Sequence, residues 1–192
     1  MSFIIVGYYS GDTIYEAKAA VLQKSLEKYR VPYYLQRIED RGGWYANTCW
    51  KPTFLKEMLK KFPKHNIIYV DCDAEFFRFP KLFHSFKGNV GVYLFDRSCY
   101  GKNAKGFEVL SGTIFLRNNE AVRLMIERWE FECKNNLNVW DQKSLQKVLG
   151  DNYEKLPGEY CKILDRMEWI TEPVIVHYQA SREVRKNRMK IK

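Results

Sequence analysis

The feature that most constrains the fold is an ordered series of short apolar runs separated by helical patterns. "FIIVGYY" (3–9) is a short apolar run of strand character, and "TIYE" after it has the form of a capping box, with Thr13 as N-cap and Glu16 three residues on. Tyr15, Ala19, Leu22, Leu26 and Tyr29 then recur at spacings of four and three, which marks one face of a helix, and "VPYYLQRI" reads as a second strand. "RGGWYANTCWKPTFLKEMLKKFP" predicts a Gly-Gly loop leading into a helix. Pro52 lies in the first turn of that helix, Leu55, Met58, Leu59 and Phe62 on its buried side, and Pro63 closes it. "NIIYV", "NVGVYLF", "GTIFLR" and "EPVIVHY" read as further strands. "AVRLMIERWEFEC" reads as a helix facing Val122, Ile126, Trp129 and Cys133 inward, and "WDQKSLQKVLG" as a shorter one ending at Gly150. Strands separated by helices need crossovers, so the expectation is α/β: a single domain with a mostly parallel mixed sheet flanked by helices.

Length and composition agree with that architecture. A chain of 192 residues is one domain at about 100–200 residues each, and 46% hydrophobic with 16% aromatic residues supplies a core. No stretch approaches the ~18–20 uninterrupted apolar residues of a membrane span. "MSFIIVGYYSGD" lacks the basic and apolar regions of a signal peptide, so a cytoplasmic protein is expected. The five cysteines are odd in number and without C-x-x-C spacing, which argues for reduced residues over a disulfide framework or a zinc ribbon. Of the formal charge of +9, "REVRKNRMKIK" (182–192) holds six Lys/Arg against one Glu. A basic tail of this kind suits a polyanionic partner, whether nucleotide, nucleic acid or anionic membrane surface, or is simply a solvated tail.

The chemistry concentrates in "IIYVDCDAEFF" (67–77), where an apolar strand runs straight into Asp71 and Asp73. Ligands of open α/β sheets bind at the carboxyl ends of strands. In extended chain, residues i and i+2 point to one side, so the two carboxylates are expected to converge. Side by side they repel unless a cation lies between them, and a hard divalent ion carrying substrate phosphates is the natural neutraliser. The alternative is a solvated turn after a strand.

The same segment resembles the D-x-D strand of GT-A fold, nucleotide-sugar-dependent glycosyltransferases. Further segments fit in the same order: "LSGTIFLRNN" (110–119) resembles the small-residue strand set against donor sugar and acceptor, "WDQKSLQKVL" the D-Q helix start, and "VIVHYQASR" the late strand whose histidine completes metal coordination. The resemblance spans residues 1–186, leaving 187–192 as a basic tail. It implies a GT-A-like (Rossmann-like) domain, a nucleoside diphosphate sugar donor, Mn²⁺ or Mg²⁺ on its diphosphate, and transfer to an acceptor hydroxyl, with a glycan the favoured acceptor. The chain is short for this family, with reduced acceptor-binding extensions.

Under the resemblance Asp71, Asp73 and His177 form the metal set, Asp73 being the more direct ligand and Asp71 also serving the ribose. His177 is one of three histidines and follows the apolar "PVIV"; as neutral imidazole it suits a coordination position, and the plain alternative is a hydrogen-bonded strand-end histidine. Ser181, Arg182 and Lys186 are placed for the diphosphate as hydroxyl, planar fork and point charge. Lys51 adds a cation at a helix start, or is a surface lysine. Trp44 offers a stacking face or belongs to the core. Gly7, Tyr8 and Tyr9 fall where the family receives the base, uracil being favoured over guanine.

Ser111 and Gly112 permit close approach of the sugar. Asp141 and Gln142 then stand near the reacting carbon. Asp141 would be the base if transfer inverts the anomeric centre, and Gln142 a polar stabiliser if it retains it; Asp141 as a helix N-cap is compatible with either. A nucleotidyltransferase is disfavoured because "GYYSGDT" has no G-x-G-x-x-G. A nucleic-acid-binding module is disfavoured because the aromatics fall at core positions. A catalytically inactive sugar-nucleotide binder shares every feature except turnover.

Overall fold

In the computed structural model, which describes residues 2–11, 13–101, 103–136 and 139–182, the opening strand β1, Ser2–Ser10, is the spine of the molecule. Its side chains alternate between two buried layers, Phe3 and Ile5 in one, Ile4, Val6 and Tyr8 in the other. That is the pattern of a strand covered on both faces. The helix α1, Ile14–Lys28, starts at Thr13, whose Oγ1 accepts the Tyr15 N–H at 3.2 Å. Ala19, Leu22 and Leu26 are buried as their spacing predicts; Ser25 joins them and its Oγ accepts the Phe76 N–H at 3.0 Å.

After β2, Tyr33–Ile38, the expected Gly-Gly loop is followed by two helices rather than one: α2, Trp44–Cys49, and α3, Lys51–Lys61. Gly42 and Gly43 both have positive φ (102° and 112°), a conformation open to glycine at little cost, and their N–H groups donate to Asp40 Oδ1. The remaining elements are β3 (His65–Val70), β4 (Ala74–Phe76), α4 (Leu82–Ser85), β5 (Val90–Asp96) and β6 (Phe107–Leu116), then α5 (Glu120–Asn135), α6 (Asp141–Leu149), β7 (Glu154–Lys155), β8 (Lys162–Ile163) and β9 (Ile175–His177).

Six strands form the main sheet in the order β2-β1-β3-β6-β5-β7. Pairing is parallel for β1 with β2 and β3 and for β5 with β7, and antiparallel for β6 with β3 and β5. Five strands therefore run one way and β6 alone runs against them, a mostly parallel mixed sheet. β4, β9 and β8 make a second, small sheet. One layer packs α3, α5 and α6 on the main sheet through Phe54, Leu55, Ile126, Trp129 and Leu145. The other packs α1, α4 and the small sheet through Leu22, Leu26, Phe83, Phe76 and Ile175. The inward face read for α5 (Val122, Ile126, Trp129 and Cys133) is buried. No helix among the described residues is long and apolar enough to cross a membrane, and the five cysteines form no disulfide.

Candidate active site

The end of β3 is where the two sheets meet. β3 stops at Val70, and Asp71–Asp73 is a turn closed by the Ala74 N–H on Asp71 O at 3.1 Å. The convergence of the two carboxylates comes from this turn, not from extended chain as the i, i+2 spacing suggested. The turn is stapled on both sides. Asp71 N–H donates to Gly112 O at 2.8 Å, Tyr178 N–H to Asp73 O at 3.0 Å, and Ala180 N–H to Asp73 Oδ2 at 2.7 Å. Opposite lies His177 at the end of β9, paired with Ala74 in the small sheet.

Asp71, Asp73 and His177 each turn one ligand atom inward, all within 4.8 Å of one another. His177 is buried, and its Nε2 lies 2.8 Å from Thr113 Oγ1. The other ring nitrogen, Nδ1, is buried with no hydrogen-bond partner among the described residues, 4.0 Å from Asp73 Oδ1, which is beyond hydrogen-bonding distance. Gly112 leaves the cluster open: a Cβ there would sit 3.1 Å from His177 Cε1 and 3.2 Å from Asp71 Oδ2.

Lys51 supports the cluster from behind. At the start of α3 its side chain is 3% exposed, and its Nζ lies 2.8 Å from Asp141 Oδ2, 3.2 Å from Asp71 Oδ1 and 3.0 Å from Ser111 O. It also lies over the Tyr69 ring, while Tyr69 donates its own hydroxyl to Asp71 Oδ1 at 2.8 Å. Burial alone would lower the Lys51 ammonium, but Asp141 and Asp71 outweigh it and hold it above the ordinary lysine range. Lys51 is therefore neither a surface lysine nor a cation free for phosphate.

Burial pushes the Asp71 carboxyl up, helped by Asp73 and Asp141 and resisted by Lys51 and His177; 38% of its side chain stays exposed, so water screens part of that push. At Asp73 burial also raises, but His177 and the Ala180 N–H outweigh it and hold the carboxyl below its usual range. Asp71, Asp73 and Asp141 outnumber the Lys51 ammonium and leave an excess of negative charge in a mostly buried space. An orphaned imidazole nitrogen, two carboxylates and that charge fit a divalent ion.

The other sequence-predicted residues divide sharply. Asp141 is the first residue of α6 and the N-cap is Trp140. The Asp141 side chain is 4% exposed, and its Oδ2 also accepts the Ser111 hydroxyl at 2.8 Å. In this arrangement the carboxylate supports Lys51 and Ser111. Ser111 spends its carbonyl on Lys51, its hydroxyl on Asp141 and its N–H on Gln142 Oε1 at 3.3 Å. Tyr8 is buried among Trp50, Phe54 and Tyr69 and donates to Asn47 O at 2.7 Å. Its face is a core face, whereas Tyr9 beside it is half-buried.

Gly7 makes room for the protein itself, since a Cβ would meet Val70 O at 2.7 Å. Trp44 opens α2, half-buried, edge-on to Tyr45 and 6.5 Å from the Trp140 ring. Ser181 is half-buried and Arg182 pairs with Asp165 at 3.0 Å. Lys186, like residues 183–192 as a whole, lies outside the described residues. Sequence reasoning missed Tyr69 and Thr113. Tyr69 carried a signal, being two residues before Asp71 near the end of β3; Thr113 follows the "SG" of β6 and faces Val70 in the antiparallel register.

The fold, a mostly parallel mixed sheet between two helical layers, is shared with solved structures of GT-A glycosyltransferases. A glycosyltransferase involved in glycosylation of the major capsid of PBCV-1 superposes with a TM-score of 0.69 at 15% identity, covering 100% of both chains. The galactosyltransferase LgtC, solved with donor and acceptor sugar analogs, gives 0.63 at 12% identity over 92% of this chain and 87% of its own. The glycosyltransferase GlyE of Streptococcus pneumoniae gives 0.58 at 18% identity over 93% of this chain and 54% of its own. No curated protein sequence matches the chain. The sequence model of the nucleotide-diphospho-sugar transferases matches residues 39–190, and the chain belongs to that family.

Proposed function

We propose that this glycosyltransferase is metal-dependent, that Asp71, Asp73 and His177 hold Mn²⁺ or Mg²⁺ with the diphosphate of a UDP-sugar, and that the sugar passes to a hydroxyl of a glycan. The observation that carries the reading is the buried His177 Nδ1, without a partner and facing two carboxylates. An imidazole beside carboxylates favours Mn²⁺ over Mg²⁺. When bound, the ion offsets the negative charge that grows on the departing diphosphate.

The chain's own residues position this site. Thr113 fixes the His177 ring through Nε2 and leaves Nδ1 for the ion. Lys51 locks Asp71, Asp141 and Ser111 in one arrangement, which holds the β6 backbone at Gly112 against the cluster. Gly112 gives the sugar close access, and Tyr9 offers its ring to the uracil. Gln142, whose Oε1 accepts the Ser111 N–H, is proposed as the polar group that stabilises the sugar. Ser181 and Arg182 are proposed for the diphosphate, with Arg182 exchanging its exposed partner Asp165, a pairing worth little in water. A glycan acceptor draws support from the neighbour solved with donor and acceptor sugar analogs.

Titration calorimetry of UDP with Mn²⁺, with EDTA, and with an Asp73→Asn variant tests this reading. Metal-dependent binding lost in the variant is expected, followed by turnover of a UDP-sugar. Binding that ignores EDTA, or tighter metal-dependent binding of GDP, contradicts the metal or the nucleotide assignment respectively. Binding without turnover of any donor would mark an inactive sugar-nucleotide binder.

A further inference from the structure

We infer that a second cavity, between β5, the loop after β7 and the loop joining β8 to β9, is an additional saccharide-binding site that grips a neutral part of a glycan away from the metal cluster. For its ligand class the inference rests on the proposed glycan acceptor. The cavity measures about 480 Å³, within the ~300–1,000 Å³ usual for small-molecule sites. Trp169 stands at it with 59% of its surface exposed, a large side chain with an apolar body and a polar N–H. Around it lie Glu159, Thr171 and Glu172, all exposed, and half-buried Tyr93. Below, Gly158 lets Ile170 close the floor, since a Cβ there would lie 2.4 Å from Ile170 Cδ1.

The lining selects its ligand by chemistry. A pyranose has a C–H face that lies flat on an indole and a rim of hydroxyls that donate to carboxylates, and this lining offers both. Two carboxylates disfavour a nucleotide or any other phosphate, in a chain that is otherwise basic. A wholly apolar ligand would strip water from those carboxylates without replacing their hydrogen bonds. A quaternary ammonium also suits aromatics beside carboxylates. Here, however, Arg78 lies 3.0 Å from Glu172, which both spends one negative charge and repels a cation. The neutral, hydroxylated ligand is the one consistent with all of these.

Position supports the assignment. The Val174 N–H donates to Glu159 O at 2.7 Å, and Val174 precedes His177 by three residues, roughly 10 Å along extended chain. The segment that lines the cavity therefore runs directly into the strand that ends at His177.

The test is saturation-transfer NMR and calorimetry on the full chain with neutral tetrasaccharides of glucose, galactose, mannose and N-acetylglucosamine, with tetramethylammonium as the cation control. Wild type, Trp169→Ala, Trp169→Phe and Glu159→Gln are compared, and Mn²⁺–UDP binding is measured on each. At least one tetrasaccharide is expected to bind wild type, at least tenfold more weakly to Trp169→Ala and within a few-fold to Trp169→Phe and Glu159→Gln, with UDP binding unchanged throughout. Binding of no tetrasaccharide, equal binding to Trp169→Ala, or preference for tetramethylammonium abolished by Glu159→Gln overturns the inference. Loss of UDP binding by wild type would fault the donor-site reading alone, because the saccharide measurements stand without it.

Discussion

The Lys51 ammonium lies 2.8 Å from Asp141 Oδ2, and the two side chains are only 3% and 4% exposed. Neither charge has bulk water to fall back on, so the pair acts as a unit, and through Asp71 and Ser111 that unit sets the back wall of the site. Removing one partner leaves a buried charge uncompensated. Lys51→Met should cost about 3–5 kcal/mol of stability, and the Lys51→Met/Asp141→Leu double variant should regain most of it. Urea unfolding of wild type, Lys51→Met and the double variant measures both; a double variant no better than the single one would show that the pair contributes more than mutual neutralisation.

Thr113 should matter to metal affinity more than to the fold. Thr113→Val keeps the shape but removes the group that orients the His177 ring through Nε2. Outer-shell changes of this kind typically weaken metal binding about 10–100-fold. A Mn²⁺ titration with UDP present should show a loss in that range, while Thr113→Ser should remain near wild type.

The two glycines singled out in the sequence should fail differently. At Gly7 an added Cβ meets the Val70 backbone carbonyl at 2.7 Å, so Gly7→Ala should destabilise the protein by roughly 1–3 kcal/mol through overpacking. At Gly112 the neighbours are His177 and Asp71 side chains at 3.1 and 3.2 Å, so Gly112→Ala should leave thermal stability nearly intact and weaken Mn²⁺ binding instead. Thermal melts beside metal titrations separate the two.

Much of this was legible before any coordinate was known, and the reason differs by residue. The Thr13 cap, the α5 face and the apolar run before Asp71 are local patterns, and local patterns survive into structure. His177 stood out because histidine is rare here and ends an apolar run. Lys51 was misread because nothing local distinguishes a lysine that opens a helix in water from one sealed against Asp141, ninety residues on. The burial of Asp141 was not legible for the same reason, being set by Lys51, Ser111 and the packing of Trp129, whose indole N–H donates to the Asp141 carbonyl at 2.9 Å. The direction of β6 was not resolved by a crossover argument either, because no α-helix separates it from β5.

Glu130 anchors α5 to α3 by accepting from Thr53, Lys56 and Lys134. Burial would raise its carboxyl, but these donors outweigh it and bring it down to about 2 from an ordinary 4.5. A folded-state value below the unfolded one means that its stabilisation is fully present above about pH 4.5 and is lost as pH falls toward 2, an effect of about 3 kcal/mol. Comparing urea midpoints of wild type and Glu130→Gln from pH 7 to pH 2.5 should show a stability gap that closes on acidification. A gap independent of pH would mean that the carboxylate charge is not what the three donors recognise.

A divalent ion between Asp71, Asp73 and Nδ1 of His177 is what the proposed function stands on. Pulsed electron paramagnetic resonance of the protein with Mn²⁺ and UDP tests it most directly, because a coordinated imidazole couples its nitrogen to the manganese spin. The account predicts a nitrogen modulation in wild type that disappears in His177→Ala, together with loss of bound Mn²⁺ in Asp73→Asn. Bound Mn²⁺ without nitrogen coupling, and with affinity unchanged in Asp73→Asn, would contradict it.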